Sequence, residues 1–175
     1  MDPITVFLLI ILVAVPPTVV FLTVRTLIQK YLNAQYQMQI AGEKERNRNI
    51  TLPLQLQAYE RLSLYCERIS IPALVLRLRE EGMSAKQLRA ALLIAIQQEY
   101  EHNITQQVYV SAKLWEIIKI ARDNTVNAIN TVAEGQSADA DGRAFGRALL
   151  SVAPQVDQSL ATALAAIKQE TKMLF

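Results

Sequence analysis

The first stretch of the chain is apolar at almost every position and carries no charge. Residues 4–24 read ITVFLLIILVAVPPTVVFLTV. At about 1.5 Å rise per residue, a helix of this length just crosses the roughly 30 Å hydrocarbon core of a bilayer. A cleaved signal peptide would begin with basic residues, and the start of this chain has none. We therefore predict a retained transmembrane helix over Ile4–Val24.

Charges on either side of this run predict its direction. Asp2 is the only charge before it, whereas Arg25, Lys30 and later basic residues follow. The side richer in Lys and Arg normally stays in the cytoplasm. We therefore expect residues 1–24 to form an anchor in the lipid bilayer, with the N-terminus outside and the rest of the chain cytoplasmic.

Residues 25–50 predict a juxtamembrane helical stalk that ends in a hinge. Leu27, Tyr31, Ala34 and Met38 recur at spacings of four and three, which is typical of a helix-packing stripe. These four residues are the candidate association face. Such a stalk self-associates, lies on the bilayer surface or packs on its own domain. The mixed-charge run at 43–49 is interpreted as a hinge or helix end.

Residues 51–175 show helical periodicity throughout and predict an antiparallel helical bundle. Turn and capping residues divide this cytoplasmic domain into segments. The first predicted helix begins at Thr51 and Pro53, and a short helix after it ends at Gly82. A helix from Ala85 to His102 begins at the Ser84/Gln87 capping box, and a helix from Ala112 to Glu134 is capped by Ser111. The final stretch after residue 142 forms two short helices or one helix kinked at Pro154.

Composition excludes several classes of function. The chain has 18 Lys and Arg against 16 Asp and Glu, a net charge of +2. Nucleic-acid binding needs basic residues clustered on one face, and the charges of this chain are too balanced for that. We therefore expect no nucleic-acid partner. The single cysteine, Cys66, excludes an internal disulfide and suits a reducing compartment.

No motif in the sequence carries convincing chemistry. Glu99 and His102 form half of the E-x-x-H pattern of di-metal bundles, but His102 is the only histidine, so one chain cannot complete that site. Ser137, Asp139 and Asp141 resemble half of a calcium loop that lacks its terminal glutamate. Cys66 is expected to be a small buried side chain. We therefore predict no enzyme activity, no metal, no cofactor and no small-molecule substrate.

Three short motifs carry a resemblance to a known family. They are QAYERL at 57–62, EYEHN at 99–103 and S-x-x-x-W at 111–115. With the sequence around them, from 51 to 135, they resemble a family of uncharacterised single-pass membrane proteins of Bacteroidota. The resemblance implies a helical protein of the inner membrane and brings no activity with it.

These observations together predict a membrane-tethered helical scaffold or interaction module in an oligomeric inner-membrane assembly. The alternative is a non-catalytic accessory subunit of a larger membrane enzyme or transport complex. A dimeric metal enzyme that uses Glu99 and His102 is a third, weaker hypothesis.

Overall fold

The computed structural model describes residues 2–174, except that the side chains at positions 5–11, 14 and 44 lie outside the description. The described residues are helical, with no strand and only an isolated bridge between Ser84 and Asp141. The all-helical prediction is confirmed. The elements are α1 (Pro3–Arg68), α2 (Ile71–Leu78), α3 (Ala85–Asn103), a 3₁₀ helix (Ile104–Val108), α4 (Ala112–Glu134) and α5 (Gly142–Lys172).

The predicted transmembrane helix is overturned. Within the part of the chain that the structure describes, no helix is both long and apolar enough to cross a bilayer. Much of the predicted span, at positions 5–11 and 14, lies outside the described side chains. The described apolar stretch from Leu12 to Val24 is shorter than the about 20 residues that a crossing requires. The predicted orientation and inner-membrane location depended on that helix and stay predictions of the sequence alone.

Helix α1 is longer than the sequence pattern indicates. It continues through the mixed-charge run at 43–49, where a hinge or helix end was expected, and through Pro53, where a new helix was expected. Glu, Lys and Arg are good helix formers and make up most of this run, so it carries no strong stop signal. A proline removes one backbone donor, and here the flanking turns keep the helical conformation.

Two compact units divide the chain, residues 1–50 and residues 51–175. In the first unit, every described side chain is exposed except Ile40, which is half-buried. The second unit has its own hydrophobic core.

The core of the second unit is built where the end of α1 meets α2, α3, α4 and α5. Tyr65 from the end of α1 and Phe145 from α5 are its largest fully buried side chains. Aliphatic residues from every helix of the unit complete it. Among them are Leu62, Ile69, Leu74, Leu88, Leu92, Ile96, Ile118, Ile129, Leu149 and Leu160.

The end of α1 buries one side in this core. Ala58, Leu62 and Tyr65 are buried, as is Ile69 just after the helix, whereas Leu54 is exposed. Leu54 lies close to the beginning of the second unit, where the core has not yet formed around α1.

The helix starts follow the predicted capping chemistry. The Ser84 hydroxyl accepts a hydrogen bond from the Gln87 amide at 3.3 Å, and Gln87 Oε1 accepts one from the Ser84 amide at 2.9 Å. This reciprocal pair is a complete capping box. The Ser111 hydroxyl likewise accepts a hydrogen bond from the Leu114 amide at 3.1 Å.

Helix α5 is one helix with Pro154 inside it. The sequence left two short helices or one kinked helix open, and the structure shows a single element. Pro154 itself is exposed, whereas Ala153 before it is buried. Proline has no backbone N–H to donate. Because Pro154 lies on the outward side of the helix, water can reach the backbone there.

Gly142 gives a direct test of how α5 is docked. Its amide donates to the Met83 carbonyl at 2.8 Å, and a Cβ at this position would lie 2.6 Å from that same oxygen. We expect Gly142→Ala to lower the free energy of unfolding by about 2 kcal/mol, because backbone would have to move. Urea denaturation followed by circular dichroism measures it.

The matched control is Gly135→Ala. A Cβ there would meet only the Val132 carbonyl at 3.7 Å, which is ordinary contact. We expect this variant to change stability by less than about 0.5 kcal/mol. Equal effects of the two substitutions would contradict the close approach at Gly142.

Candidate association face and the polar sites

The candidate association face lies on α1, in the first unit. Leu27, Tyr31 and Met38 are 61%, 64% and 74% exposed, and Ala34 is exposed between them. The Tyr31 hydroxyl accepts a hydrogen bond from Gln35 Nε2 at 3.0 Å, which ties its polar tip to the neighbouring turn. Because the backbone is helical throughout, residues at these spacings lie on one side of the helix.

The face is longer than the four predicted residues. Val20, Val24 and Ala41 continue the same alternation of three and four residues, and all three are exposed. The next position of the seam is Glu45, a charged residue where the pattern would place an apolar one. An apolar seam of this period over three heptads is the pattern of helices that supercoil around one another.

A second apolar ridge accompanies the first. Ile28, Leu32 and Tyr36 recur every four residues and are each more than half exposed. The sequence prediction did not include this ridge, although its four-residue spacing is visible in the sequence. A helix that is apolar on more than one side is normally buried on more than one side.

Glu99 and His102 are placed as structural groups in the second unit. The Glu99 carboxylate lies 2.7 Å from Arg68 Nε and 3.7 Å from Arg77 Nη1. His102 Nδ1 lies 2.9 Å from the carbonyl oxygen of Gln98. Within the described residues, no group of three or more His, Cys, Asp or Glu side chains is arranged to hold a metal ion.

The calcium-like loop serves as a helix start. The Asp141 carboxylate accepts a hydrogen bond from the Arg143 amide at 3.0 Å and caps α5. A carboxylate at this position also interacts favourably with the helix dipole. Asp139 is exposed in the turn before it.

Cys66 lies in the core, where its side chain is only 1% exposed. Burial, with a smaller contribution from the Glu67 charge, raises the pKa of the Cys66 thiol to about 12. The thiol is therefore protonated at neutral pH, which is the unreactive form.

An aromatic and cationic cluster packs beside Tyr65. The rings of Tyr100 and Trp115 stack with centroids 5.9 Å apart, and the Arg122 guanidinium carbon lies 4.2 Å from the Tyr100 centroid. Burial raises the pKa of the Tyr65 phenol, and the Arg122 charge opposes only part of that effect. Arg122 of α4 is thus half-buried against an aromatic ring.

Comparison with known protein families shows to which family the chain belongs. A model of a family of unknown function, DUF7935, matches residues 5–174. The chain belongs to this DUF7935 family. The resemblance to an uncharacterised family is confirmed at that level, while its bacterial group and membrane character stay predictions. No curated protein and no solved structure matches the chain.

We expect Cys66 of this family member to resist thiol reagents in the folded protein. At pH 8, Ellman's reagent should modify the Ser151→Cys, Cys66→Ala variant rapidly, because position 151 is exposed. The wild-type thiol should react only in denaturant. Fast modification of the folded wild type would contradict the buried position.

The same thiol predicts a dependence of stability on alkaline pH. The pKa of the Cys66 thiol is raised in the folded state. Its contribution to the free energy of unfolding is therefore fully present below the ordinary pKa of 9.0 and is lost as pH rises toward about 12. Over this window, the free energy of unfolding should fall more steeply in the wild type than in Cys66→Ala. Urea denaturation at stepped pH measures both slopes, and parallel slopes would contradict the prediction.

Proposed function

We propose that the protein is a non-enzymatic helical interaction module that self-assembles through the first unit. The observation that carries the proposal is the exposed seam of Leu27, Tyr31, Ala34 and Met38 on α1. The compact second unit would then be displayed by the assembly.

The energetics support a covering partner for this helix. Helical stability in proteins comes mostly from packing of an apolar face, and propensity alone is weak. Covering one exposed Leu or Met side chain stabilises by about 2 kcal/mol. Residues 15–38 expose many such side chains, among them Phe21, Leu22, Ile28 and Leu32.

A second copy of this chain is the partner that the pattern favours. A seam with one apolar residue every three or four positions is complementary to itself. In parallel helices Lys30 would lie opposite Gln35 of the neighbour, so no like-charge pair opposes the contact.

The second ridge bears on the size of the assembly. Ile28, Leu32 and Tyr36 stay exposed when only the first seam is covered. An assembly of three or more helices covers both ridges, so we favour it over a dimer. If the ridge instead receives a different protein, the chain acts as an accessory subunit of a larger complex.

We expect Leu27→Glu and Met38→Glu to dissociate the assembly, because each places a charge in the apolar seam. The measurement is native mass spectrometry of full-length protein from a mild detergent, which disperses non-specific aggregates. The wild type should give an oligomer of three or more copies, and both variants should shift to the monomer.

The matched control is Asn33→Glu, which adds the same charge on the side of α1 that carries neither the seam nor the second ridge. It should keep the oligomer. A monomeric wild type, or equal behaviour of all three variants, would contradict the proposal. A dimer with a stoichiometric foreign subunit would favour the accessory-subunit alternative.

A further inference from the structure

A groove between α2 and α5 lies on the surface of the second unit and takes no part in the contacts described so far. It has a volume of about 380 Å³. Each helix contributes residues spaced as i, i+3, i+4 and i+7, so one face of each lines it. On the α2 side these include Val75, Leu76 and Arg79.

The floor of the groove exists because Gly146 has no side chain. A Cβ there would lie 3.3 Å from Val75 Cγ1 and 3.7 Å from Arg79 Cδ. Any larger residue would therefore fill the space between the helices. Leu150 of α5 and Leu76 of α2 form the apolar walls, and Leu76 is 88% exposed.

Three arginines lie in the same groove. They are Arg79, Arg143 and Arg147. Among the described residues, Arg143 has one ion pair, with Glu81 at 3.4 Å, and that carboxylate is 92% exposed. The described ion pairs do not include Arg79 or Arg147.

Two of the arginines lie at one end of the groove, and Arg147 lies nearer to Leu150 along α5. The approach of Arg79 to Gly146 places the end of α2 beside the start of α5, where Arg143 also lies. Leu150 lies two turns further along α5. A complementary partner would present an apolar side chain at one end and carboxylates at the other.

We propose that this groove binds an acidic amphipathic helix of another protein. The two helical walls form the shape that receives a third helix, whose apolar anchors enter between Leu76 and Leu150. Its acidic residues would pair with Arg79, Arg143 and Arg147. Such pairing gives specificity through complementary charge.

We assign the occupant to another protein. Glu80–Glu81 is the only pair of adjacent acidic residues in the sequence, and both lie at the border of the groove itself. Because the groove belongs to the second unit, the inference is independent of self-assembly through α1.

The test uses two synthetic peptides and the full-length protein. The first is an about 16-residue fluorescein-labelled amphipathic helix with Leu at i, i+3 and i+7 and three Glu at one end. The second carries Lys in place of each Glu. Fluorescence anisotropy titrations compare the wild type with Leu76→Glu and Arg147→Glu. Both positions are exposed, so both variants should keep the circular dichroism of the wild type.

We expect the acidic peptide to bind at least about tenfold more tightly than the Lys peptide, and Leu76→Glu to weaken binding at least about tenfold. Arg147→Glu should weaken it at least about fivefold, and the effect should shrink in high salt.

The matched controls are Ile94→Glu on α3 and Lys168→Glu further along α5, both exposed and outside the groove. Each should leave the affinity unchanged. The proposal is overturned if the acidic peptide fails to bind, if the two peptides bind equally, or if the groove variants behave like the controls.

Discussion

The structure depends first on the covering of an apolar helix, and the described residues of the chain do not provide that cover. In residues 1–50, nearly every described side chain is exposed, including long aliphatic and aromatic ones. A helix in water gains most of its stability from the face it buries, and none of the described side chains of residues 1–50 is fully buried. We propose that contact with other helices covers this face. The seam at Leu27 and Met38 has the period of helices that bind copies of themselves.

The second unit meets the opposite condition, because it buries its own core. Tyr65 from α1 and Phe145 from α5 occupy that core with aliphatic side chains from every other helix. Close approach at Gly142 holds the start of α5 against the loop before α3, and Gly146 lets α5 lie close to α2. The second contact leaves the groove between them open, with its arginines exposed. Gly142 thus allows close packing in the fold, and Gly146 shapes the groove that we propose to be a docking surface.

The sequence predicted those features that local chemistry determines. The Ser84/Gln87 capping box, the Ser111 cap and the α4 bounds were all readable, because a hydroxyl or amide satisfies a free helix donor in a recognisable pattern. The continuity of α1 through 43–49 was missed, because charged residues are both good helix formers and common in loops. The transmembrane helix was wrongly predicted from the apolarity of residues 4–24 alone.

Surface features were harder to predict than helices. The ridge of Ile28, Leu32 and Tyr36 was visible as spacing but was hidden by the stronger stripe beside it. The groove could not be found from sequence, because it requires α2 and α5 to be neighbours and Gly146 to lie between them. The place of Arg122 also depends on such a contact, because its guanidinium lies over the ring of Tyr100. Such contacts join residues that are far apart in sequence, and periodicity describes only near ones.

Hydrogen exchange of the full-length protein tests most directly whether α1 is covered by other copies. Amides of an uncovered helix open frequently and exchange quickly, whereas those of a packed helix are protected. Mass spectrometry of peptides from residues 20–41 should show strong protection at high protein concentration and progressive loss on dilution, while peptides from the second unit stay protected throughout. Rapid exchange in residues 20–41 at every concentration would contradict the account.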